Sequence, residues 1–241
     1  MSRRDELATA LARLTARIGR AASSAGRDPR SIRLVAVTKT FPAQDAALLT
    51  DLGVTHLGEN RDQEGGQKAD QLRLLRPDAT VCWHMVGRLQ RNKARTVLRW
   101  AAMVQSVDSP RLAGALDTAV RAALDAGGRA RPLDVLLQAS LDDDPTRGGC
   151  PLADLPALAD QVAASDGLRL RGLMAVAPLG ADPDRAFEAL YRAAVAVQAR
   201  HPEATELSAG MTSDLEAAIR HGSTCVRVGT ALLGGRPLAS P

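Results

Sequence analysis

The fold of this chain is decided by the stretch Ile32-Arg-Leu-Val-Ala-Val-Thr38, a short aliphatic run that has the composition of a buried strand. Residues 5–25 before it repeat leucine and isoleucine at helical spacing, and this pattern stops near Gly26. A second helical pattern after it opens at Pro42 and ends before Gly53. Helix, buried strand and helix in this order are typical of an α/β protein with parallel strands.

The same alternation continues to the end of the chain. Seven further strands are predicted at 54–58, 81–86, 103–107, 133–138, 170–176, 206–208 and 225–228. The helices between them are predicted at 61–75, 92–101, 110–126, 152–164 and 183–200. Eight strands in 241 residues, without a linker or a change of composition, predict a single domain over residues 1–241. We expect a (β/α)8 TIM barrel with an extra N-terminal helix.

Charge and composition exclude several classes of function. Aromatic residues make up only 2% of the chain, too few for a protein that binds nucleic acid by stacking on bases. The net charge of +4 comes from arginines scattered among acidic residues, which favours a solvated surface over a nucleic-acid or membrane patch. No apolar run reaches membrane-spanning length, and the N-terminus does not resemble a signal peptide. We therefore expect a cytoplasmic protein.

The metal-binding residue types show no familiar pattern. The three cysteines are widely spaced and form no CxxC motif, and the four histidines lack HExxH or similar spacing. These residues predict a reduced protein with neither disulfides nor a metal site.

In a parallel barrel, functional side chains project from the carboxyl ends of the strands and from the loops beyond them. This rule selects Lys39, Glu59, Asn60, His84, the loop 87–93, residues 174–178, residues 210–212 and the pair Gly229-Thr230.

Lysine occurs only three times, so lysine chemistry has three candidates. Lys39 ends an apolar strand at the predicted mouth, where partial desolvation favours the neutral amine that attacks aldehydes. The alternatives for Lys39 are a lysine that extends from the strand end to solvent and a structural ion pair with Glu59. Lys68 is predicted on a solvated helix face, and Lys93 at a helix start is the weaker candidate for chemistry.

A phosphate site is predicted from the loops after the last two strands. Ser213 and Glu216 have the spacing of a capping box, which would leave backbone N–H groups free at a helix start. Gly210 and the hydroxyl of Thr212 precede them, and Gly229-Thr230 forms a second small-residue turn. Barrels commonly bind phosphate at these two loops. The alternative is that the loops form only a helix cap and a tight turn, without a ligand.

Arg227 lies inside the last apolar strand, and the sequence leaves its direction open. An inward guanidinium could donate a hydrogen bond to the ring nitrogen of a cofactor and weaken that ring as an electron sink.

Many motifs of this chain match one family. They are Ala36-Val-Thr-Lys39-Thr, Gly58-Glu-Asn60, Gln63-Glu64, Trp83-His-Met-Val-Gly-Arg-Leu-Gln-Arg-Asn-Lys93, Arg171-Gly-Leu-Met-Ala175, Leu207-Ser-Ala-Gly-Met-Thr-Ser-Asp214, Glu216-Ala-Ala-Ile219, Gly222-Ser-Thr224 and Val226-Arg-Val-Gly-Thr-Ala-Leu-Leu-Gly234. Over nearly its whole length the chain resembles the pyridoxal phosphate homeostasis proteins. These are fold-type III single barrels that bind pyridoxal 5'-phosphate (PLP) and are similar to the N-terminal domain of alanine racemase.

The resemblance implies a role for each candidate. Lys39 would hold PLP in a Schiff base, and Arg227 would face the pyridine nitrogen. The phosphate would lie among Ser208, Met211, Thr212, Gly229 and Thr230, while Asn60, His84 and Met174 would line the pocket. The chain departs from the family at three of its positions: Thr212 replaces a usual Ser, Arg61 a common Tyr and Arg88 a common Pro.

The resemblance also implies a PLP carrier that acts in PLP homeostasis by buffering or delivery, as a monomer, with apo forms of PLP-dependent enzymes as possible recipients. The alternative is a PLP-dependent racemase, which needs an acid or base on each face of the substrate carbon. The only tyrosine, Tyr191, is predicted in the middle of a helix, so no catalytic residue is assigned. A third interpretation, a module that binds nucleic acid or protein, has only the net positive charge of the chain in its favour.

Overall fold

The computed structural model describes residues 1–142 and 148–235. Nine strands lie in these residues: β1 (Arg33–Val37), β2 (His56–Glu59), β3 (Cys82–Met85), β4 (Met103–Val107), β5 (Leu133–Ser140), β6 (Cys150–Pro151), β7 (Leu168–Met174), β8 (Glu206–Ser208) and β9 (Cys225–Val228). The α-helices of the same residues are α1 (Arg3–Ser24), α2 (Ala43–Asp51), α3 (Asp62–Leu75), α4 (Ala94–Val97), α5 (Pro110–Asp125), α6 (Leu155–Ala163), α7 (Pro183–Arg200), α8 (Leu215–Arg220) and α9 (Thr230–Leu233).

Eight of the strands close into a parallel barrel, which confirms the predicted (β/α)8 fold. Its order is β1-β2-β3-β4-β5-β7-β8-β9, and β9 pairs with β1 to complete the ring. The short β6 pairs only with β5 and stands outside the ring. Because all strands run in one direction, their carboxyl ends, with Lys39 beyond β1, lie at the same end of the barrel.

The extra N-terminal helix packs on the outside of the barrel. Leu7, Leu14 and Ile18 of α1 are buried, and the helix contacts α2, α8 and α9. Burial of one such side chain stabilises the fold by roughly 1.5–3 kcal/mol. None of the described helices combines the length and the apolar character that a bilayer crossing requires.

Two predicted elements differ clearly from the structure. The helix expected at 92–101 is a 3-10 turn over Arg91–Lys93 followed by the single turn of α4. The sixth barrel strand, predicted at 170–176, is β7, which begins at Leu168 and ends at Met174. Its pairing with β5 shifts in register between Val135 and Leu136 of β5. Gly172 of β7 has φ +144°, and a Cβ there would lie 1.9 Å from the carbonyl oxygen of Glu206, so only glycine fits.

Candidate functional site

Four neighbouring strand ends bring most of the predicted site residues together. Val37 pairs with Gly58 and Ala36 with Val228, so Lys39 emerges between the ends of β2 and β9. Continuing the first register by two residues places Lys39 level with Asn60. On the other side, a Cβ at Gly229 would lie 3.1 Å from the carbonyl oxygen of Val37, which shows how closely the last loop approaches β1.

The amine of Lys39 makes no hydrogen bond or ion pair within residues 1–142 and 148–235, and the side chain is half-buried. Both of its neighbours in the chain are fixed. Thr40 adopts a left-handed conformation with φ 66°, which is strained for a β-branched residue, and its N–H donates to Glu64 Oε1 across 2.6 Å. The Thr38 hydroxyl donates to Glu59 Oε1 across 2.5 Å.

Lys68 holds this arrangement from α3, and its prediction as a solvated lysine was wrong. Its side chain is 5% exposed, and Nζ donates to the Thr38 carbonyl oxygen at 2.7 Å, Glu59 Oε1 at 2.6 Å and Glu64 Oε1 at 3.2 Å. Glu59 thus forms its ion pair with Lys68, and not with Lys39 as the alternative interpretation of Lys39 required.

Glu59 is fully buried at the end of β2, and burial raises the pKa of its carboxyl while Lys68 opposes that rise. Its second oxygen, Oε2, has no hydrogen-bond partner in the described part of the chain. Glu59 therefore binds Thr38 and Lys68, and the Lys39 amine has no partner among the residues that the structure describes.

The loops after β8 and β9 meet at the start of α9. Ala231 N donates to Thr212 Oγ1 across 3.4 Å, and Arg227 N donates to the Gly210 carbonyl oxygen across 2.9 Å. The backbone amides of Thr212, Ser213 and Thr230 donate to no protein acceptor among the residues that the structure describes. Met211 at the tip is 36% exposed. The loops thus present unused N–H donors and two threonine hydroxyls beside β1.

The predicted capping box is wrong. Helix α8 begins at Leu215 with Asp214 as its N-cap, and Asp214 Oδ1 accepts from Met211 N at 2.6 Å. Glu216 turns away to Arg17 of α1, with nitrogen–oxygen distances of 2.5 and 2.6 Å. Arg17 also donates to the Thr212 carbonyl oxygen at 2.8 Å, so α1 anchors this loop from behind.

Arg227 faces the inside of the barrel, which answers the question that the sequence left open. Its guanidinium donates to Ser208 Oγ at 2.7 Å and to the Ala175 carbonyl oxygen at 2.8 Å. Ser208 Oγ in turn donates to Gln105 Oε1, on the opposite wall, at 2.7 Å. Arg227 is 5% exposed, and burial lowers its pKa from the ordinary value of arginine.

The polar chain continues from Gln105 to the amino-terminal half of the barrel. Gln105 Nε2 lies 2.9 Å from His84 Nδ1, and His84 Nε2 lies 2.9 Å from His56 Nδ1. Burial lowers the pKa of His84 to about 3, so its imidazole is neutral at pH 7.

Three predicted site residues therefore lie below the mouth of the barrel. Ser208 and His84 are fully buried with their polar atoms bonded to protein groups. Met174 packs with Met103 and Leu136 in a separate apolar cluster inside the barrel. They support the floor of the site, whereas Lys39, Asn60 and the last two loops form its rim.

A cleft of about 970 Å³ opens on the other side of Asn60. Arg61, Arg88 and Lys93 line it, so two of the three departures from the family pattern, Arg61 and Arg88, border the mouth outside the loops after β8 and β9. Lys93 is half-buried there, next to the site and not within the β1, β8 and β9 group.

Sequence reasoning missed Lys68, Gln105 and the conformation of Thr40. Gln105 follows Met103 and Val104 in the fully buried strand β4, and a long polar side chain inside such a strand was the available signal. The left-handed Thr40 had no signal, because threonine is among the residues that least favour this region.

Comparisons with known proteins agree with this geometry. A family model described as the alanine racemase N-terminal domain matches residues 10–237. The pyridoxal phosphate homeostasis protein of Mycobacterium tuberculosis is 49% identical over 249 residues, covering 99% of this chain and 96% of that protein. The protein of the same name from Escherichia coli is 39% identical over 235 residues, covering 96% of this chain and 97% of that protein.

This chain belongs to the pyridoxal phosphate homeostasis protein family. Within solved structures, it is similar to PipY of Synechococcus elongatus with PLP bound, with a TM-score of 0.80 and 35% identity over 95% of this chain and 100% of that chain. The alanine racemase of Corynebacterium glutamicum has a TM-score of 0.67 and 18% identity over 95% of this chain and 60% of the racemase. The second likeness concerns the barrel fold alone. The resemblance predicted from the motifs is confirmed at the level of the family.

Proposed function

We propose that this protein binds PLP as a Schiff base on Lys39 and acts in intracellular PLP homeostasis by buffering or delivery. The observation that carries the proposal is the amine of Lys39, which has no protein partner in the described residues and lies beside two loops with unused N–H donors. An amine beside an anion cradle suits a phosphorylated aldehyde. PipY, a relative at 35% identity, was solved with PLP bound.

The residues present fit each part of PLP. Lys39 would take the aldehyde carbon, and the amides of Thr212, Ser213 and Thr230, with the threonine hydroxyls, would hold the phosphate. Gly229 permits the close approach of its loop to Val37. Asn60 would stand at the ring edge next to Lys39. In this proposal Ser208, His84 and Met174 shape the floor under the ring.

Arg227 would weaken PLP as an electron sink. PLP supplies an electron sink for amino-acid chemistry when its pyridine nitrogen is protonated. A guanidinium has only donors and holds its protons at neutral pH, so beside the ring nitrogen it would leave that nitrogen unprotonated. Ser208 and Ala175 orient Arg227 for this role from inside the barrel.

We further propose that the protein has no catalytic turnover and works as a single-domain cytoplasmic monomer over residues 1–241. Tyr191 is 48% exposed on α7, and a Cβ at Gly222 would lie 2.9 Å from its ring. Gly222 precedes β9, so this tyrosine lies toward the barrel end opposite Lys39 and is not placed to be a second acid or base. Apo forms of PLP-dependent enzymes are the proposed recipients.

Borohydride reduction followed by peptide mapping tests the attachment site. We expect one modified peptide, containing Lys39, and loss of the yellow colour in Lys39→Ala. Lys93→Ala is the matched control, because Lys93 is also half-buried near the mouth, and this variant should keep the colour. Modification of Lys93 in the wild-type protein would contradict the proposal.

Two assays separate the carrier from a racemase. Incubation of the PLP-loaded protein with single amino acids, followed by chiral analysis, should show no sustained turnover. Transfer to a PLP-dependent apo-enzyme should reactivate that enzyme at a rate different from that of free PLP at equal concentration. Continuous racemisation by the wild-type protein, absent in Lys39→Ala, would overturn the carrier proposal.

A further inference from the structure

Three metal-binding side chains meet in the amino-terminal half of the barrel, away from Lys39. His56 is the first residue of β2 and Cys82 the first of β3, and the two are paired in register. His84 follows Cys82 by two residues and therefore points to the same face of the strand. One ligand atom of each of the three side chains lies within 4.8 Å of the others.

We propose that His56, Cys82 and His84 form a binding site for a borderline divalent transition metal ion, of which Zn²⁺ is the type. Two imidazole nitrogens and one thiolate are the donor set that zinc takes in proteins, and hard cations such as Mg²⁺ prefer oxygen. The cysteines of the chain are free, so the Cys82 thiol is available for ligation.

The distances suit a tetrahedral ion after small side-chain rotations. With metal–nitrogen bonds of about 2.0 Å and metal–sulfur bonds of about 2.3 Å, tetrahedral ligand atoms lie roughly 3.3–3.6 Å apart. His56 Nδ1 and His84 Nε2 are 2.9 Å apart and must separate by a few tenths of an ångström. The Cys82 Sγ atom lies within 4.8 Å of one ring nitrogen of each histidine and must move inward by about 1.3 Å at most.

The surroundings can balance the charge of the ion. Arg33 is the nearby cation, and it is paired with Glu206 at 2.6 Å. Asp134 Oδ1 is buried without a hydrogen-bond partner among the described residues, and Arg169 Nε lies 3.7 Å from it. Asp134 stands outside the three-residue cluster, so the fourth ligand would be water.

His84 also has an outer partner, and the ion can reach the cluster. Ligation through Nε2 places the ring proton on Nδ1, where Gln105 can accept it after rotation of its amide. His56 and Cys82 are only half-buried, which opens the cluster to solvent from the amino-terminal end of the barrel.

Cobalt substitution of the full-length protein tests the site. After treatment with a chelator, titration with Co²⁺ should give one equivalent of binding and a thiolate-to-cobalt charge-transfer band, and Zn²⁺ should abolish that band. Cys82→Ser should remove the band, and His56→Gln should weaken Co²⁺ binding at least about tenfold, since one of three protein ligands is lost. Cys150→Ser and His201→Gln are the matched controls and should bind as the wild type does.

The outcome is independent of PLP. Lys39→Ala should retain the cobalt band, so failure of the PLP proposal and failure of the metal proposal are distinguishable. Absence of the charge-transfer band from folded wild-type protein, or its persistence in Cys82→Ser, would overturn the site. Circular dichroism of each variant shows whether it is folded.

Discussion

Lys68 Nζ lies 2.7 Å from the carbonyl oxygen of Thr38, so a lysine of α3 fixes the backbone immediately before Lys39. The same nitrogen bonds Glu64, whose carboxylate accepts from the amide of Thr40 immediately after Lys39. One buried ammonium group therefore holds both sides of the residue that we propose to carry PLP. Lys39, whose amine has no partner within residues 1–142 and 148–235, is in this way placed on a fixed backbone.

Replacement of this ammonium should destabilise the protein. Lys68→Met leaves Glu59 buried without its cation, and breaking such a pair from one side costs about 3–5 kcal/mol of unfolding free energy. Urea unfolding measures the loss, and Lys93→Met is the control that should change little. A Lys68→Met variant as stable as the wild type would show that the ion pair does not form in solution.

The deficit of Lys68→Met should depend on pH in a defined direction. Burial already raises the pKa of Glu59, and loss of Lys68 removes the interaction that opposes this rise. A carboxyl whose folded pKa exceeds its unfolded value stabilises the fold fully at low pH and loses that contribution as pH rises through the folded pKa. The difference in unfolding free energy from the wild type should therefore be larger near pH 8 than near pH 5. A difference independent of pH would contradict the assignment to Glu59.

The left-handed residue beside Lys39, Thr40, offers a third prediction. Thr40→Gly and Thr40→Ala both keep the amide that Glu64 accepts from, but alanine at φ 66° retains a strain of about 1 kcal/mol that glycine lacks. We expect Thr40→Gly to be the more stable of the two by about this amount in urea unfolding. Equal stability of the two variants would indicate that residue 40 leaves the left-handed region in solution.

The backbones of Gly87 and Asn60 lie so close together at the mouth that one added methyl group should disturb them. A Cβ at Gly87 would lie 2.2 Å from the carbonyl oxygen of Asn60, so Gly87→Ala must displace Asn60 and should cost about 1–3 kcal/mol. PLP binding, followed by absorbance, should weaken as well. Gly114→Ala is the control, because nothing lies within 4 Å of its Cβ position in α5 and it should stabilise the helix. Unchanged PLP affinity in Gly87→Ala would argue against Asn60 as a pocket residue.

The fold and the rim of the site could be predicted from the sequence because both depend on local patterns. The strands of a parallel barrel are short apolar runs, and the residue after each run lies at the mouth, as Lys39 does. Depth inside the barrel could not be predicted in the same way. Ser208 and Met174 end their strands, yet their side chains face the interior, because inward direction depends on register between strands.

Contacts between distant segments explain the remaining errors. Glu216 fits a capping box by spacing, but Arg17 of α1 binds it across the outer surface. Lys68 resembles a surface lysine in its helix, and only the packing of α3 on the end of β2 buries it against Glu59. The cluster of His56, Cys82 and His84 likewise needs the pairing of β2 with β3, which no spacing motif encodes.

The buried chain from His84 to Arg227 gives the last prediction. Gln105→Leu removes the partner of His84 Nδ1 and the acceptor of the Ser208 hydroxyl, whose oxygen still accepts from Arg227. A buried polar group that loses its partner costs about 1–3 kcal/mol.

The same change should reach the cofactor, because Ser208 is one of the two groups that orient the Arg227 guanidinium. We expect Gln105→Leu to lose stability in urea and to shift the visible absorption of bound PLP. Gln161→Leu is the control, since the Gln161 side chain is exposed and donates to the carbonyl oxygen of Pro110, so its effect should stay within about 0.5 kcal/mol. If Gln105→Leu is destabilised but its PLP spectrum is unchanged, the hydrogen-bonded side chains from His84 to Arg227 do not influence the pyridine ring. Their role would then be limited to folding.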